Sequence, residues 1–470
     1  MSRINTNIAS LQAVTRLNKN NTELAKRLQR LSSGLKINTG KDAPAGLIAS
    51  ETLRSEINGI GQAIDNSQRA NNVVNTAEGA LGEVSALLLE IQALTNQAAN
   101  TGALSNEEIK ANQLQVDAIL NSISRIANTT QFGGKKLLNG SLDYTTSGVD
   151  AAKIDVATIN AAKIPDNGSV NITVQVTASA QLGTITVAGS GIGATPTTIE
   201  IAGNLGTEQL SFAASAHNSA IAVAINQLRE STGVSASVVA GGQLRVTSTA
   251  FGSSQFVSVK TINGSFTTGK DFGADASVNI NGSAAEVQGL SAAVRTGDLD
   301  INLLLDRAFA QTTAGAGATA SFLITGGGAK FQLGSQVNRP GQVQIGVGAV
   351  ATTKLGNDVV GFLSSIGSGG ANSLVGGNTI QAQTILDESI RQVATLRGRL
   401  GAFQKSVLET NVNSLSVALE NVTASESAIR DADFASETAA LTRAQILVQA
   451  NTSVLASANA APQNVLALLQ

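Results

Sequence analysis

The 470-residue sequence contains no cysteine and no tryptophan, and only one methionine, one tyrosine, one histidine and five prolines. Each shortage closes a class of function. Without cysteine there are no disulfides, thiolate metal sites or cysteine nucleophiles. Such a chain suits transit through an oxidising space without mispaired bridges, although many cytosolic chains share the trait. The lone His217 cannot supply the two histidines that a helical zinc-protease motif needs. With so few aromatics, cores must be built from Ala, Val, Ile and Leu. Such cores suit slim helical bundles and small sheets better than a deep, aromatic-lined cofactor pocket. A formal net charge of −2 leaves no basic footprint for nucleic acid, and no lysine cluster marks a membrane surface. No apolar run reaches the ~18 residues of a membrane span. The opening MSRINTNIASLQAV lacks the basic region and apolar core of a secretory signal, so export would have to proceed without a cleaved leader.

What is present is a chain with similar ends and a different middle. Its length predicts about two to four domains. Near the N-terminus, Leu11, Val14, Leu17, Asn21, Leu24, Leu28, Leu31 and Leu35 recur at steps of three and four. That is a narrow heptad seam, which wants one or two partner helices. Asn38, Thr39 and Gly40 read as a turn. Asp42 is placed to cap a new helix with Pro44 in its first turn. That helix runs to about Asn100 on a seam of Val74, Ala77, Leu81, Val84, Leu88, Ile91, Thr95 and Ala98, a rod of roughly 80 Å. Ser105 and Glu108 form a capping box for a third helix ending near Asn128. Toward the C-terminus, Ile390, Val393, Leu396, Leu400, Phe403 and Val407 form one stripe. After a slip in phase, Val412, Leu415, Leu419, Val422 and Ile429 continue it, and a last apolar segment runs from Phe434 to Leu469.

None of these seams is satisfied alone, so the C-terminal helices are expected to fold back along the N-terminal ones. The heptad period predicts a left-handed supercoil. The Gly-, Thr-, Val- and Ser-rich middle reads as β-rich. A hairpin is expected over Val234–Val239 and Leu244–Ser248 around Gly241 and Gly242, preceded by a short helix over Ala220–Leu228. The expected fold is therefore mixed: a long α-helical coiled-coil bundle formed by both termini, with a β-rich (α+β) central insertion. The expected divisions are 1–40 with 431–470, 41–165 with 346–430, and an insertion over 166–345 of one or two small units.

Chemistry-bearing motifs fail one by one. Gly264, Gly269 and Lys270 approach a P-loop, but Asp271 stands where Ser or Thr must hold magnesium. Gly189–Gly193 is a loop rather than a dinucleotide fingerprint. Glu107 and Glu108 lie in a helix's first turn, where they favour the dipole. The sequons at Asn167 and Asn281 carry no weight without a eukaryotic-type signal. No catalytic, cofactor or metal residue is assigned, and no cofactor is expected.

Several segments resemble bacterial flagellins: LQRLSSGLKINTGKDAPAGL (28–47), NTAEGALGEV (75–84), RIANTTQFGGKKLLNG (125–140) and the terminal IRDADFASETAALTRAQILVQANTSVLASANAAPQNVLALLQ (429–470). LRVTSTAFGSSQFVSVKTI (244–262) is similar to sheet modules inserted in some flagellins and hook-associated proteins. The resemblance implies a structural subunit that polymerises into the extracellular flagellar filament for swimming, exported without a cleaved signal. In it the terminal pair would line the filament core, with the long-helix bundle as the next layer and the insertion outermost. Implied partners are further copies of the chain, an export chaperone over the last helix, the export apparatus, and the hook–filament junction and cap proteins. Nucleic acid and membrane embedding are not expected. The expected subunit contacts are Ile4, Ile8, Leu11, Leu24, Leu28, Leu31, Leu455, Val465, Leu466 and Leu469, with the edge of an intramolecular bundle as the plainer alternative. In flagellins detected by animal innate receptors, the patch matching Glu90, Leu94 and Gln115 carries Arg, Leu and Glu. Only Leu94 agrees here, so weak or absent receptor activation is expected, although the three also fit ordinary solvated helix positions. The alternatives to a filament subunit are a hook–filament junction protein and a secreted adhesin presenting the insertion.

Overall fold

The computed structural model describes residues 6–165, 168–189, 191–312 and 319–468, with side chains described as far as residue 461. Its α-helices in chain order are α1 (Ile8–Ser33), α2 (Pro44–Ala98), α3 (Asn106–Thr129), α4 (Asn218–Gln227), α5 (Arg229–Thr232), α6 (Arg307–Ala310), α7 (Thr379–Phe403), α8 (Thr410–Arg430) and α9 (Phe434–Leu468). The strands among the described residues fall between Gln131 and Phe362. Helical ends thus enclose a β-rich middle, the mixed class expected of the sequence. The chain divides into two compact units.

The first unit draws on residues 1–69, 332–342 and 406–470. Here α1 lies antiparallel to α9, with Asn7 near Ala458 at one end and Arg27 against Glu437 toward the other. Asn7 begins α1 by accepting the Ser10 N–H at 3.0 Å, which satisfies one orphan donor of the first turn. Gly34 ends the helix at φ +71°, a left-handed cap that glycine adopts without steric cost. Beyond it the two connecting strands of chain pair briefly. The Lys36 N–H donates to the Arg430 carbonyl at 2.6 Å and the Ala432 N–H to the Gly34 carbonyl at 2.9 Å. Asp42 does not cap α2 as the sequence suggested. Its carboxylate turns back to accept the Thr39 N–H at 3.1 Å and the Thr39 hydroxyl at 3.0 Å, and it pairs with Lys26 at 3.1 Å. A turn with a nearby cation offers this carboxylate more partners than the helix end does.

The first part of α2 pairs with α8 through Ser50 to Glu426 (3.0 Å) and Asn411 to Ser67 (3.0 Å). The apolar residues Val412, Leu415, Leu419, Val422 and Ile429 of α8 are half-buried rather than sealed. Against these helices sits the loop 332–342. Gly59 admits it: a Cβ there would lie 2.8 Å from the Ser335 carbonyl oxygen.

The second unit takes in residues 70–331 and 343–405. Along α2, every seam residue from Val74 to Ala98 is buried, as a three–four repeat demands of a helix covered on one face. The neighbouring α7 is tied to it by Gln92 to Asp387 at 2.9 Å and Arg397 to Glu78 at 2.8 Å. On α7, Val393, Leu396, Leu400 and Phe403 are buried. The next buried position is Leu408, not Val407. The five-residue step is absorbed by a π-helical turn over Gln404–Glu409, which swallows one extra residue without rotating the stripe that follows. The Ser105 and Glu108 box starts α3 reciprocally, at 3.3 and 2.7 Å. Buried Gln113 of α3 then bonds both the Ile366 carbonyl and the Leu374 N–H.

The sheets of this unit form two nested bodies. The outer sequence segments make a sandwich. One sheet orders its strands as Ser283–Ala284, Ser277–Ile280, Val170–Ala178, Thr319–Gly327 and Tyr144–Ser147. The other orders Glu286–Gln288, Ser291–Arg295, Leu299–Leu305 and Ile154–Ala162. Alternation along VNITVQVTA sends Ile172, Val174 and Val176 into a core shared with Ile301, Leu303, Leu305 and Phe322. These strands begin at Tyr144, ahead of the boundary at 166 taken from composition. At the base of the sandwich, Arg399 of α7 donates to the carbonyls of Asn160 (2.9 Å) and Gly346 (3.0 Å). Burial lowers its pKa against the pull of Asp300 and Asp143, while burial raises that of Asp143 itself.

Between Ala178 and Ser277 the chain leaves the sandwich and builds a second small body. Its sheets are Thr184–Val187, Leu244–Ser248 and Val234–Val238, and Gly269–Phe272, Phe256–Asn263, Thr197–Gly203 and Thr207–Phe212. The expected hairpin is present, pairing Leu244 with Val238 in antiparallel register. The short helix α4 supplies Ile221 and Ile225 to a core with Ile199, Ile201, Val246 and Val257.

Candidate assembly surface

The terminal pair α1·α9 is held by polar groups as much as by its seam. Glu437, 7% exposed, is the centre. Both its oxygens accept from Arg27 Nη1, at 3.0 and 2.9 Å, and one also accepts from Arg30 Nη1 at 3.1 Å. Arg27 reaches back to Glu23 as well. Burial by itself would push the Glu437 carboxyl up. The hydrogen bonds and charges of Arg27 and Arg30 outweigh that and hold it below its ordinary value. The Arg27 guanidinium is raised by the same contact with Glu437, and then by Glu23. At the other end, the Asn7 amide donates to the Ala458 carbonyl at 2.7 Å and Ser10 Oγ donates to Asn459 at 2.7 Å.

This polar lock leaves apolar surface uncovered. Among the expected contact residues, Leu24, Leu31 and Leu455 are half-buried within the pair. Ile8, Leu11 and Leu28 are 48%, 66% and 49% exposed. Ile4 and Leu469 lie outside the described residues, as do the side chains of Val465 and Leu466. Val14 of the N-terminal seam is also exposed, and residues that periodicity alone did not single out join it: Phe434, Ile446, Leu447 and Val454. Their signal in the sequence was the near-absence of charge along α9, where Glu437 and Arg443 are the charged residues of the 35-residue helix. Single exposed leucines are ordinary, but so many on one helix pair are not.

On the other unit, Glu90 and Gln115 are exposed and Leu94 is half-buried, with exposed Leu89 and Leu114 beside them in sequence. No metal-ligating group of three or more side chains occurs among the described residues. No described helix is long and apolar enough to cross a membrane.

Residues 4–143 match the bacterial flagellin N-terminal helical region, and residues 383–469 match the bacterial flagellin C-terminal helical region. Residues 198–250, in the nested body, match the flagellin hook IN motif. The B-type flagellin of Pseudomonas aeruginosa is 31% identical over 99% of both chains. The chain belongs to the bacterial flagellin family. A flagellin of Bacillus subtilis is 29% identical across 100% of both chains. The solved structure of FliC from Burkholderia pseudomallei is 18% identical, covering 73% of this chain and 99% of that one, with a TM-score of 0.24. As a flagellin, the chain is a structural subunit of the flagellar filament.

Proposed function

We propose that the uncovered apolar face of α1·α9 is the surface through which copies of this flagellin polymerise. One observation carries the reading: Ile8, Leu11, Leu28, Phe434, Ile446 and Val454 stand in solvent on a pair whose internal contacts are already made. Leu24, Leu31 and Leu455 set the pair's inner seam. A two-helix element with so little sealed core is marginal in water. Ordering is therefore completed on assembly, when burial by neighbours offsets the lost chain entropy. In the filament the terminal pair lines the core, the long-helix bundle forms the next layer, and the insertion faces solvent. The function is mechanical and requires no catalysis.

The same exposed face on α9 suits an export chaperone that shields it before assembly, as amphipathic helices are commonly held in grooves. Export through the flagellar export apparatus and contact with junction and cap proteins complete the partners. Glu90 and Gln115 in place of an arginine and a glutamate predict weak or absent innate-receptor activation, because a carboxylate cannot replace a bidentate guanidinium. Robust signalling by purified monomer at low dose would overturn that point.

Electron microscopy of purified protein before and after addition of a precipitant or seeds tests the main reading. Uniform filaments with a gain in helicity are expected. Monomers that persist and are already fully helical would contradict it. The hook IN motif match favours a second reading, a hook–filament junction protein. Copy number in sheared filaments separates the two, since a filament subunit is the bulk component and a junction protein a trace one.

A further inference from the structure

The nested body is joined to the sandwich by two chain crossings that meet at Gln181 and Ala274. Each of these residues donates its N–H to the other's carbonyl, both at 2.9 Å. Two crossings bonded at one place make a swivel, and modules joined this way move relative to one another unless something further holds them. Here a third attachment exists beside the crossings, where the Gly252 N–H also reaches the Gln181 carbonyl at 3.4 Å. The loop after the strand Leu244–Ser248 carries Phe251, Gly252 and Ser253 back to the sandwich. The Phe251 ring packs against the sandwich core, and the Arg307 guanidinium lies 5.1 Å from its centroid.

The same loop meets Asp275, the residue that follows the crossing. Asp275 Oδ1 accepts the N–H of Gly289 in the sandwich at 2.6 Å and the N–H of Ser253 in the nested body at 3.2 Å. Its Oδ2 accepts the Ser253 hydroxyl. One carboxylate thus holds donors from both bodies. The backbones beneath it touch: a Cβ on Gly252, at φ +118°, would lie 2.9 Å from the Gly289 Cα. A Cβ on Gly289, at φ +62°, would lie 2.7 Å from the Phe251 carbonyl oxygen. Only glycine at both positions lets the loops close so tightly.

We infer that Asp275 is a latch that locks the nested body to the sandwich, so that the two move as one rigid lever instead of swivelling about Gln181 and Ala274. Charge-assisted bonds to two N–H groups and a hydroxyl suit the role, because they are stronger and more directional than neutral ones. Burial of the carboxyl works against ionisation, yet its bonds to Ser253 and Gly289 prevail and its pKa is lowered. The latch therefore stays charged at any pH near neutrality.

The absence of cysteine makes the test direct. Spin labels at Gln209→Cys in the nested body and Gln175→Cys in the sandwich, both exposed, report the distance between the two bodies by electron–electron resonance. With Asp275 intact the distribution is single and narrow. Asp275→Ala broadens it at least twofold. Asp275→Asn falls between, since its amide oxygen still accepts from Gly289. Hydrogen exchange at Ile199 and Ile201 checks that the nested core stays folded. Should Asp275→Ala lose that core, Ser253→Ala with Arg307→Ala weakens the same joint from the other side and must broaden the distribution. A native distribution that is already broad, or equal narrow widths in all folded variants, overturns the inference.

Discussion

Glu437 of α9 receives two hydrogen bonds from a single nitrogen of Arg27 on α1, across 410 positions of sequence. The pair fixes which turn of α1 faces which turn of α9. Removing the acid leaves Arg27 and the largely buried Arg30 without their shared anion. Loss of one partner of a buried ion pair is costly, and partial exposure of the two arginines reduces the effect to about 2 kcal/mol. Glu437→Gln should therefore melt the terminal pair of assembled filaments at lower denaturant, read by hydrogen exchange at Leu24 and Leu31. The α2 seam from Val74 to Ala98 should be unaffected.

The joint between α1 and α2 has a defined acid limit. Asp42 is held at about 2, against 3.8 for a free side chain, first by Lys26 and then by the hydroxyl and N–H of Thr39. Its folded value lies below its unfolded one, so the stability it contributes is full above about pH 4 and fades as pH falls toward 2. Glu437 acts in the same direction. The Thr39 amide signal should hold its native position until well below pH 4. In Asp42→Asn it should be displaced at neutral pH and insensitive to acid over that window.

The π-helical turn makes a prediction about deletions. Phe403 and Leu408 are five residues apart, one more than a straight stripe allows. Deleting the exposed Ser406 restores a four-residue step, and the turn should become α-helical at a cost of about 1 kcal/mol or less. Deleting both Lys405 and Ser406 rotates everything after it by roughly 100° and should destabilise α8 severely. Thermal unfolding followed by circular dichroism distinguishes the two variants.

Because Gln181 and Ala274 form a reciprocal hydrogen-bonded pair, the nested body enters and leaves the sandwich at one point. Replacing residues 182–273 by Asn-Gly should close that pair as a tight hairpin. The shortened chain should keep the sandwich folded, with Ile172, Val174 and Ile301 protected from exchange, and should still assemble. Loss of protection there would show that the sandwich depends on its insert.

What could be read from the sequence was local or periodic. The seam from Val74 to Ala98 announced itself because a buried helix face repeats every three and four residues. The Ser105 and Glu108 box and the hairpin at Gly241 and Gly242 are contiguous signals. The sandwich was less visible. Its strands pair over long separations, such as Ile154 with Leu305, and their Thr- and Gly-rich texture resembles loop, so composition placed the insertion's start after Tyr144. Asp42 was misassigned because a cap and a turn ask for the same residue type, and only Lys26 decided between them. Leu408 displaced Val407 because an extra residue in a helix leaves no mark but a broken phase. Glu437 was invisible as a site, since its partners lie at the opposite end of the chain.

Sedimentation of assembled protein shows whether the exposed face of α1·α9 carries polymerisation. Leu11→Ser and Ile446→Ser change residues already 66% and 61% exposed in the single chain, so the monomer's melting temperature should stay within about 1 °C of the native value for such surface changes. The double variant should stay in the supernatant under conditions that pellet the native protein as filaments. Normal filament yield from the double variant would contradict it.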